Sequence, residues 1–223
     1  MTQNKTIEIG IIGDRATGKT SILNFYFEMG FSEEMTSTVG IDKFIKEIES
    51  VKNNKYKFKI YDTAGQEQYH NLALSIFKNC KGLILVYAID NEKSFENVKN
   101  SWIQDIKDSF GISEIPIILV GNKKDLKDKR NISEEEGKKL AEENHFEFFE
   151  TSAKKGENIN EIFEKIFEMI TKEKVKIKDK KDKKKEDKNK KNTNKKDNND
   201  ENKKSDNKEN SEDNKKKWKC IFV

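Results

Sequence analysis

The 223-residue sequence has only two cysteines and two histidines, and it has no long apolar run. Cys80 and Cys220 lie in very different sequence settings, so we expect no disulfide framework. His70 and His145 lack neighbours of the kind that bind metals, and we assign neither a metal-binding role. No apolar stretch is long enough to span a bilayer, and the polar first residues predict no signal peptide. These absences predict a soluble protein of a reducing compartment.

Composition divides the chain near residue 171. Regular apolar segments precede this point, whereas Lys, Asn, Asp and Glu dominate after it. We therefore predict one globular domain at 1–171, a disordered charged tail at 172–219 and a C-terminal motif at 220–223. The net charge is +4 and the tail is rich in Lys, so we expect a mildly acidic domain. An acidic domain argues against a nucleic-acid-binding surface on the fold itself.

Apolar runs of strand length alternate with helical patterns along the domain. These runs lie at 7–12, 41–51, 56–62, 82–89, 115–121 and 146–150. The second and third runs leave no room for a helix between them and are separated by Asn53-Asn54, which predicts an antiparallel hairpin. The remaining pattern predicts a three-layer α/β domain with a mostly parallel six-stranded sheet. The apolar stripe Ile159, Ile162, Phe163, Ile166, Phe167 and Ile170 predicts a last helix that packs on the sheet.

Residues 13–20 fit the phosphate-binding loop pattern G-x-x-x-x-G-K-[ST] between a predicted strand and a predicted helix. Lys19 is placed to reach the β- and γ-phosphates of a nucleotide, and the Thr20 hydroxyl is a candidate Mg²⁺ ligand. The helix that follows would direct its N-terminus at the anion. The residues we expect to bind phosphate are Arg15, Ala16, Thr17, Gly18, Lys19, Thr20 and Ser21.

Residues 121–125, Gly-Asn-Lys-Lys-Asp, follow an apolar run and predict which base is bound. The Asp125 carboxylate can accept hydrogen bonds from guanine N1–H and its 2-amino group, whereas adenine lacks this donor pair. Asn122 can hold neighbouring loops together, and the Lys123 stem can lie along the base. After the last strand, the backbone N–H groups of Ser152, Ala153 and Lys154 are candidates for guanine O6. A phosphate-loop enzyme or kinase that uses adenylate is a rival interpretation that Asp125 disfavours.

Residues 62–67, Asp-Thr-Ala-Gly-Gln-Glu, also follow a predicted strand. Asp62 can hold Mg²⁺ through water, and Gly65 can offer its N–H to the γ-phosphate. Gln66 has both an amide donor and an amide acceptor, so it can orient an attacking water. These roles predict hydrolysis by positioning and charge neutralisation, with Gln66 as the catalytic residue.

With these motifs in order, residues 7–170 resemble a Ras-superfamily small GTPase, specifically one of the Rab branch. Residues 37–42 resemble the first switch of Rabs, and residues 91–97 are also Rab-like. The resemblance implies the P-loop GTPase fold, with Thr38 as a second Mg²⁺ ligand and Phe31 against the guanine edge. It implies a monomeric GTP/GDP switch that hydrolyses GTP slowly with Mg²⁺ and acts in vesicle traffic. Exchange factors, activating proteins and effectors would bind through residues 32–42 and 64–77.

Several positions depart from the Rab pattern. Lys43, Tyr61 and Ile76 stand where Rabs usually have Phe, Trp and Tyr, so the resemblance does not carry over effector identity. Arg15 replaces a Gly or small residue close to the γ-phosphate. It could crowd Gln66 and slow hydrolysis, giving a GTP-binding scaffold with little turnover. It could also point into solvent without effect, or stabilise charge in cis.

The tail ends in Lys215-Lys216-Lys217-Trp218-Lys219-Cys220-Ile221-Phe222-Val223, whose last four residues resemble a prenylation signal on Cys220. One lipid chain binds a bilayer marginally, and the adjacent lysines would supply the second attachment. We expect the cytoplasmic face of an intracellular or plasma membrane, with cycling through the cytosol. A nucleic-acid-binding tail is a rival interpretation that the interleaved acidic residues disfavour. The terminal Val does not decide between a farnesyl and a geranylgeranyl group.

Overall fold

The computed structural model describes residues 5–32, 38, 40–63, 78–110 and 115–176. Its six strands form one sheet in the order β2-β3-β1-β4-β5-β6. The strands are β1 (Lys5–Ile12), β2 (Ile41–Glu49), β3 (Lys55–Thr63), β4 (Leu83–Ala88), β5 (Ile117–Asn122) and β6 (Glu147–Glu150). Every neighbouring pair is parallel except β2 and β3. The predicted α/β fold with one antiparallel hairpin strand is therefore confirmed.

The described helices follow β1, β4, β5 and β6 along the chain, in line with the predicted alternation of strands and helices. They are α1 (Lys19–Tyr26), α2 (Glu92–Asn97), α3 (Ile103–Phe110), α4 (Glu134–Glu143) and α5 (Ile159–Thr171). A π-helical turn, Val98–Trp102, joins α2 to α3. A short 3₁₀ turn, Lys127–Lys129, follows β5. None of the described helices combines the length and the apolar character needed to cross a bilayer.

Two apolar clusters cover the two faces of the sheet. One cluster joins Ile84 and Val86 of β4 to the buried stripe of α5, which includes Phe163 and Phe167. The other joins Leu83, Leu85 and Tyr87 of the same strand to side chains from α3 and α4. Successive residues of a strand face opposite sides of the sheet, so β4 contributes to both clusters. The central strands are apolar on both faces for this reason.

The five residues after α5 pack against the β2–β3 hairpin. Val175 pairs with Ser50 in an antiparallel bridge. The Val51 N–H donates to the Lys174 carbonyl at 2.9 Å, and the Lys176 N–H donates to the Glu49 carbonyl at 2.8 Å. Composition places residues 172–176 in the tail, whereas here they extend the edge of the sheet. The division of the chain at residue 171 stays a prediction, and so does a disordered tail beyond Lys176.

Alternation of side chains explains this pairing. Glu173 and Val175 turn toward the hairpin, where the Glu173 carboxylate accepts from Asn54 Nδ2 at 2.9 Å and from the Tyr56 hydroxyl at 3.1 Å. Lys172, Lys174 and Lys176 are exposed. This is the period of two that a strand with one covered face requires. We refer to residues 172–176 below as the docked segment.

Candidate nucleotide-binding site

The phosphate-binding loop lies between β1 and α1, at the carboxyl end of the central strand. The chain reaches α1 through Gly18, which has φ of +90°, a value that L side chains rarely adopt. The Lys19 ammonium turns back into the loop and donates to the Gly13 carbonyl at 2.8 Å and to the Asp14 carbonyl at 2.7 Å. The loop therefore surrounds its own lysine with carbonyl oxygens.

Lys19 is an almost fully buried cation, with 5% of its surface exposed. Burial lowers the pKa of its ammonium to about 8, although the charges of Asp62 and Asp14 oppose this shift. A buried cation gains stability when an anion approaches it. The electrostatics of the loop thus favour a negatively charged ligand such as a phosphate.

Three side-chain oxygens from separate segments meet beside Lys19. The Thr20 hydroxyl donates to Asp62 Oδ2 at 2.5 Å and lies 2.9 Å from the Thr38 hydroxyl oxygen. Burial raises the pKa of Asp62 to about 6, against the hydrogen bond from Thr20 and the charge of Lys19. Asp62 Oδ1 is buried and accepts no hydrogen bond within the described part of the chain. Oxygen ligands with an unpaired buried carboxylate oxygen fit a hard cation such as Mg²⁺.

Asn122, at the end of β5, joins three loops through its side-chain amide. Its Nδ2 donates to the Thr17 carbonyl in the phosphate-binding loop at 2.8 Å. Its Oδ1 accepts from the Thr151 hydroxyl at 3.1 Å and from the Ala153 N–H at 3.3 Å. The amide is buried, so these bonds form in a setting where an unpaired polar group is costly. Asn122 thus has the loop-joining contacts that the sequence predicts.

Two of the predicted base-recognition residues are in contact across neighbouring loops. The Ser152 hydroxyl donates to Asp125 Oδ1 at 2.6 Å, which fixes the carboxylate after β5 against the loop after β6. The Lys123 ammonium lies 3.1 Å from Asp90 Oδ1, with its backbone at φ of +69°. Phe31 is 40% exposed, which leaves its ring open to a ligand. Lys154 continues the same loop and is exposed.

Sequence similarity to known proteins identifies the family of this chain. A profile of the Ras family matches residues 8–172, about three quarters of the chain. The chain belongs to the Ras family. It is 41% identical to the Ras-related protein Rab-8B of Homo sapiens over 162 residues, which cover 73% of this chain and 77% of the relative. It is also 44% identical to Rab-3C of Bos taurus over 161 residues, with 72% and 69% covered.

A third relative shows the same similarity. The protein is 37% identical to the Ras-related protein Rab-1 of Theileria parva over 156 residues, which cover 70% of each chain. The chain is therefore a Ras-family GTPase of the Rab type. The predictions of family, fold class and GTPase activity are confirmed.

Some predicted residues of this GTPase lie outside the described chain. These are Gly65 and Gln66, the range 64–77 with Ile76, most of the first switch, and Cys220 with the tail beyond Lys176. Within the phosphate-binding loop, Thr17 is buried and its hydroxyl donates to the Asp14 carbonyl at 2.9 Å. Arg15 and Ala16 are exposed, and Ser21 is half-buried in α1. The effect of Arg15 on hydrolysis stays a prediction.

Sequence reasoning missed two groups that shape the site. Thr151 donates a hydrogen bond to the Asn122 side chain. The Asp14 carboxylate accepts hydrogen bonds from Asn97 and Trp102. The Asp14 partners lie more than 80 residues away along the chain. No spacing rule connects such positions, so the pattern of the loop alone could not reveal them.

Proposed function

We propose that this Rab-type GTPase is a GTP/GDP switch that hydrolyses GTP with Mg²⁺ and acts on a membrane in vesicle traffic. The observation that carries the proposal is the meeting of the Thr20, Thr38 and Asp62 oxygens beside the buried Lys19. These groups come from the phosphate-binding loop, the first switch and the end of β3. A γ-phosphate with its cation would bind all three segments at once. Loss of the γ-phosphate on hydrolysis would therefore release the first switch, which contains Thr38.

The roles of the residues follow from their positions. Lys19 and the backbone of residues 15–21 would bind the phosphates, and Thr20, Thr38 and Asp62 would hold Mg²⁺ directly or through water. The bound cation would neutralise charge that develops on the phosphate oxygens. Gln66 would orient the attacking water, with Gly65 donating its N–H to the γ-phosphate. The polar atoms of this chain would thus position the reactants without forming a covalent bond.

Base selection would come from the loops after β5 and β6. The Asp125 carboxylate, held by Ser152, would accept from the two guanine donors, and the N–H groups of Ser152–Lys154 would face O6. In the present arrangement the Ala153 N–H donates to Asn122. Adenine would offer the half-buried Asp125 carboxylate neither of the two guanine donors, which disfavours ATP.

Exchange factors, activating proteins and effectors would bind the surface around the two switches. Lys43 and Tyr61 face each other across β2 and β3, with Lys43 exposed and Tyr61 half-buried. This pair replaces two of the three aromatic positions of the Rab pattern, so we expect effectors with chemistry suited to a lysine. Membrane attachment would use a prenyl group on Cys220 together with the lysines beside it.

The proposal is tested by base selectivity and by cation dependence. We expect the wild-type protein to bind GTP far more tightly than ATP and to hydrolyse it only with Mg²⁺, so that EDTA abolishes turnover. Asp125→Asn should weaken GTP binding by about a hundredfold or more, because the carboxylate that pairs with both guanine donors is lost. Fluorescent-nucleotide titration and single-turnover phosphate release measure the two effects.

A matched control is Asp128→Asn, which removes the same charge from an exposed residue of the neighbouring 3₁₀ turn. Its affinity and hydrolysis rate should equal those of the wild type. Equal binding of ATP and GTP by the wild-type protein, or hydrolysis that persists without a divalent cation, would contradict the proposal.

A further inference from the structure

The carboxylate of Asp14, the second residue of the phosphate-binding loop, is held by two donors from one helical region. Asn97 Nδ2 donates to Asp14 Oδ2 at 2.6 Å, and Trp102 Nε1 donates to Asp14 Oδ1 at 2.8 Å. Trp102 is 5% exposed, so its indole is fixed by packing. Both carboxylate oxygens are thus occupied by donors that lie away from the loop.

Asn97 and Trp102 are five residues apart, which is the wrong spacing for a common face of an α-helix. Each residue of an α-helix rotates by about 100°, so residues five apart diverge by about 140°. Here the chain between them is the π turn Val98–Trp102, in which the Ile103 N–H donates to the Val98 carbonyl. Hydrogen bonding to the fifth residue back widens the turn, so residues five apart lie closer to one side of the helix than they do in an α-helix. The π turn therefore brings both donors to one carboxylate.

The backbone of Asp14 contacts the phosphate-binding lysine. Its carbonyl accepts from Lys19 Nζ at 2.7 Å and from the Thr17 hydroxyl at 2.9 Å. A shift of Asp14 would therefore move an acceptor of the buried ammonium and the peptide units that follow. A free carboxylate at this place would also repel phosphate, and the two donors offset that charge.

We propose that Asp14, held by Asn97 and Trp102 across the π turn, positions the phosphate-binding loop for the phosphates of a guanine nucleotide. The inference rests on the proposed function, because it concerns how the same loop receives its ligand. Asp14 acts through Lys19 and the loop backbone, so it is a positioning residue. The π turn is then a functional element whose effect reaches the nucleotide from the opposite layer of the domain.

The test uses variants that change single contacts in the full chain. Trp102→Phe keeps an aromatic ring but removes the N–H donor, and Asp14→Asn removes the charge and leaves its amide facing that of Asn97. We expect each to release fluorescent GDP about tenfold faster than the wild type. We also expect the ³¹P resonance of the bound β-phosphate to move, which a role in folding alone would not cause.

A double exchange separates positioning from damage to the fold. In Asp14→Asn with Asn97→Asp, the new amide can donate to the new carboxylate while its oxygen accepts from Trp102. GDP release should return to within about twofold of wild type. Asp108→Asn is the matched control, since this exposed carboxylate on α3 accepts from Gln104, well along the helix from the loop.

The role of the π turn is tested by changing the number of residues between Asn97 and Trp102. Deleting Ser101, which is exposed, would leave Asn97 and the tryptophan four apart, where an ordinary α turn places them on one face. This deletion should release GDP at nearly the wild-type rate. Inserting one alanine after Ser101 should accelerate release as much as Trp102→Phe.

Each result decides the inference. Wild-type release rates and unmoved phosphate resonances in Asp14→Asn and Trp102→Phe would overturn it, as would equal acceleration in Asp108→Asn or no recovery in the double exchange. If the variant that lacks Ser101 releases GDP as fast as Trp102→Phe does, the proposed role of the π turn is refuted. If the wild-type protein binds no guanine nucleotide, the proposed function fails together with the inference; if it binds and the variants match it, the inference alone fails.

Discussion

At the scale of single residues, the Asn122 amide holds the phosphate-binding loop and the two base-recognition loops in one arrangement. Gly18 lies directly against this amide. A Cβ at Gly18 would collide with Asn122 Nδ2, so the absence of a side chain is what lets the two loops approach. The loop proposed to bind phosphate and the loops proposed to bind the base are therefore in contact through a glycine and an amide.

Gly18→Ala should weaken GDP binding by at least tenfold, because the new methyl group displaces Asn122 from the Thr17 carbonyl. Gly30→Ala is the matched control, since Gly30 has φ of +85° and a Cβ added there would meet no heavy atom within 4 Å. Both variants bear a similar left-handed backbone strain of about 1–2 kcal/mol. Titration with fluorescent GDP should therefore separate them, and equal affinities would contradict the coupling.

Arg15 is the second position where a single residue carries a prediction. Its side chain is exposed in the phosphate-binding loop. We expect Arg15→Ser to leave the intrinsic single-turnover hydrolysis rate within about twofold of wild type. The electrostatic interaction of a solvent-exposed guanidinium with the site is weakened by screening. A tenfold or greater rise would instead show that Arg15 suppresses turnover. A fall of that size would indicate stabilisation of charge in cis.

At the scale of elements, hydrophobic pattern predicted every strand of the sheet within two residues at each end. The β2–β3 hairpin was predicted because Asn53-Asn54 interrupts a segment too short for a helix, and Asn53 has φ of +59° in that turn. The apolar stripe of α5 was predicted because its period matches a helix that packs on one side. The hydrophobic pattern is informative because its apolar residues indicate the side of each helix or strand that packs against the rest of the domain.

Two elements could not be predicted from pattern. The π turn leaves no signal in composition, because its apolar residues Val98 and Trp102 also fit an ordinary helix. The docked segment is rich in lysine, and its alternation of covered and exposed residues is too short to stand out from the tail. At the site, motif spacing predicted residues that the fold brings into contact, such as Thr20 with Asp62 and Asn122 with the Thr17 carbonyl. It could not identify Asp14, whose partners come together only through the fold.

The docked segment predicts a stability difference between shortened chains. A chain that ends after Thr171 loses two backbone hydrogen bonds to the hairpin and the packing of Val175. Its free energy of unfolding should fall by about 2 kcal/mol. Urea unfolding at fixed nucleotide and Mg²⁺ measures this change.

A chain that ends after Lys176 is the control, and it should unfold at the same urea concentration as the full-length protein. If all three chains are equally stable, the segment does not contribute to the domain. If the chain ending at 176 resembles the one ending at 171, residues beyond Lys176 contribute instead.

At the scale of the whole molecule, a long charged stretch of sequence lies between the GTPase domain and Cys220, the residue proposed to carry a prenyl group. Cys220→Ser should shift the protein from the membrane fraction to the cytosolic fraction of cells, because the single acceptor for a prenyl group is lost. The same comparison by imaging would name the compartment. Cys80→Ser controls for the loss of a thiol, since Cys80 is buried in the domain. Unchanged membrane binding in Cys220→Ser would contradict lipid attachment at this residue.

The docked segment also defines a path for mechanical load. The chain beyond Lys176 begins beside Glu49 and Val51, at one end of β2, and the other end of β2 begins three residues after Thr38. A strand of nine residues spans roughly 30 Å. Tension on the tail would therefore reach an edge strand of the sheet before it reaches α5. That strand begins three residues after Thr38, so a pull exerted through the proposed membrane attachment and the state of the nucleotide would act on opposite ends of one β-strand.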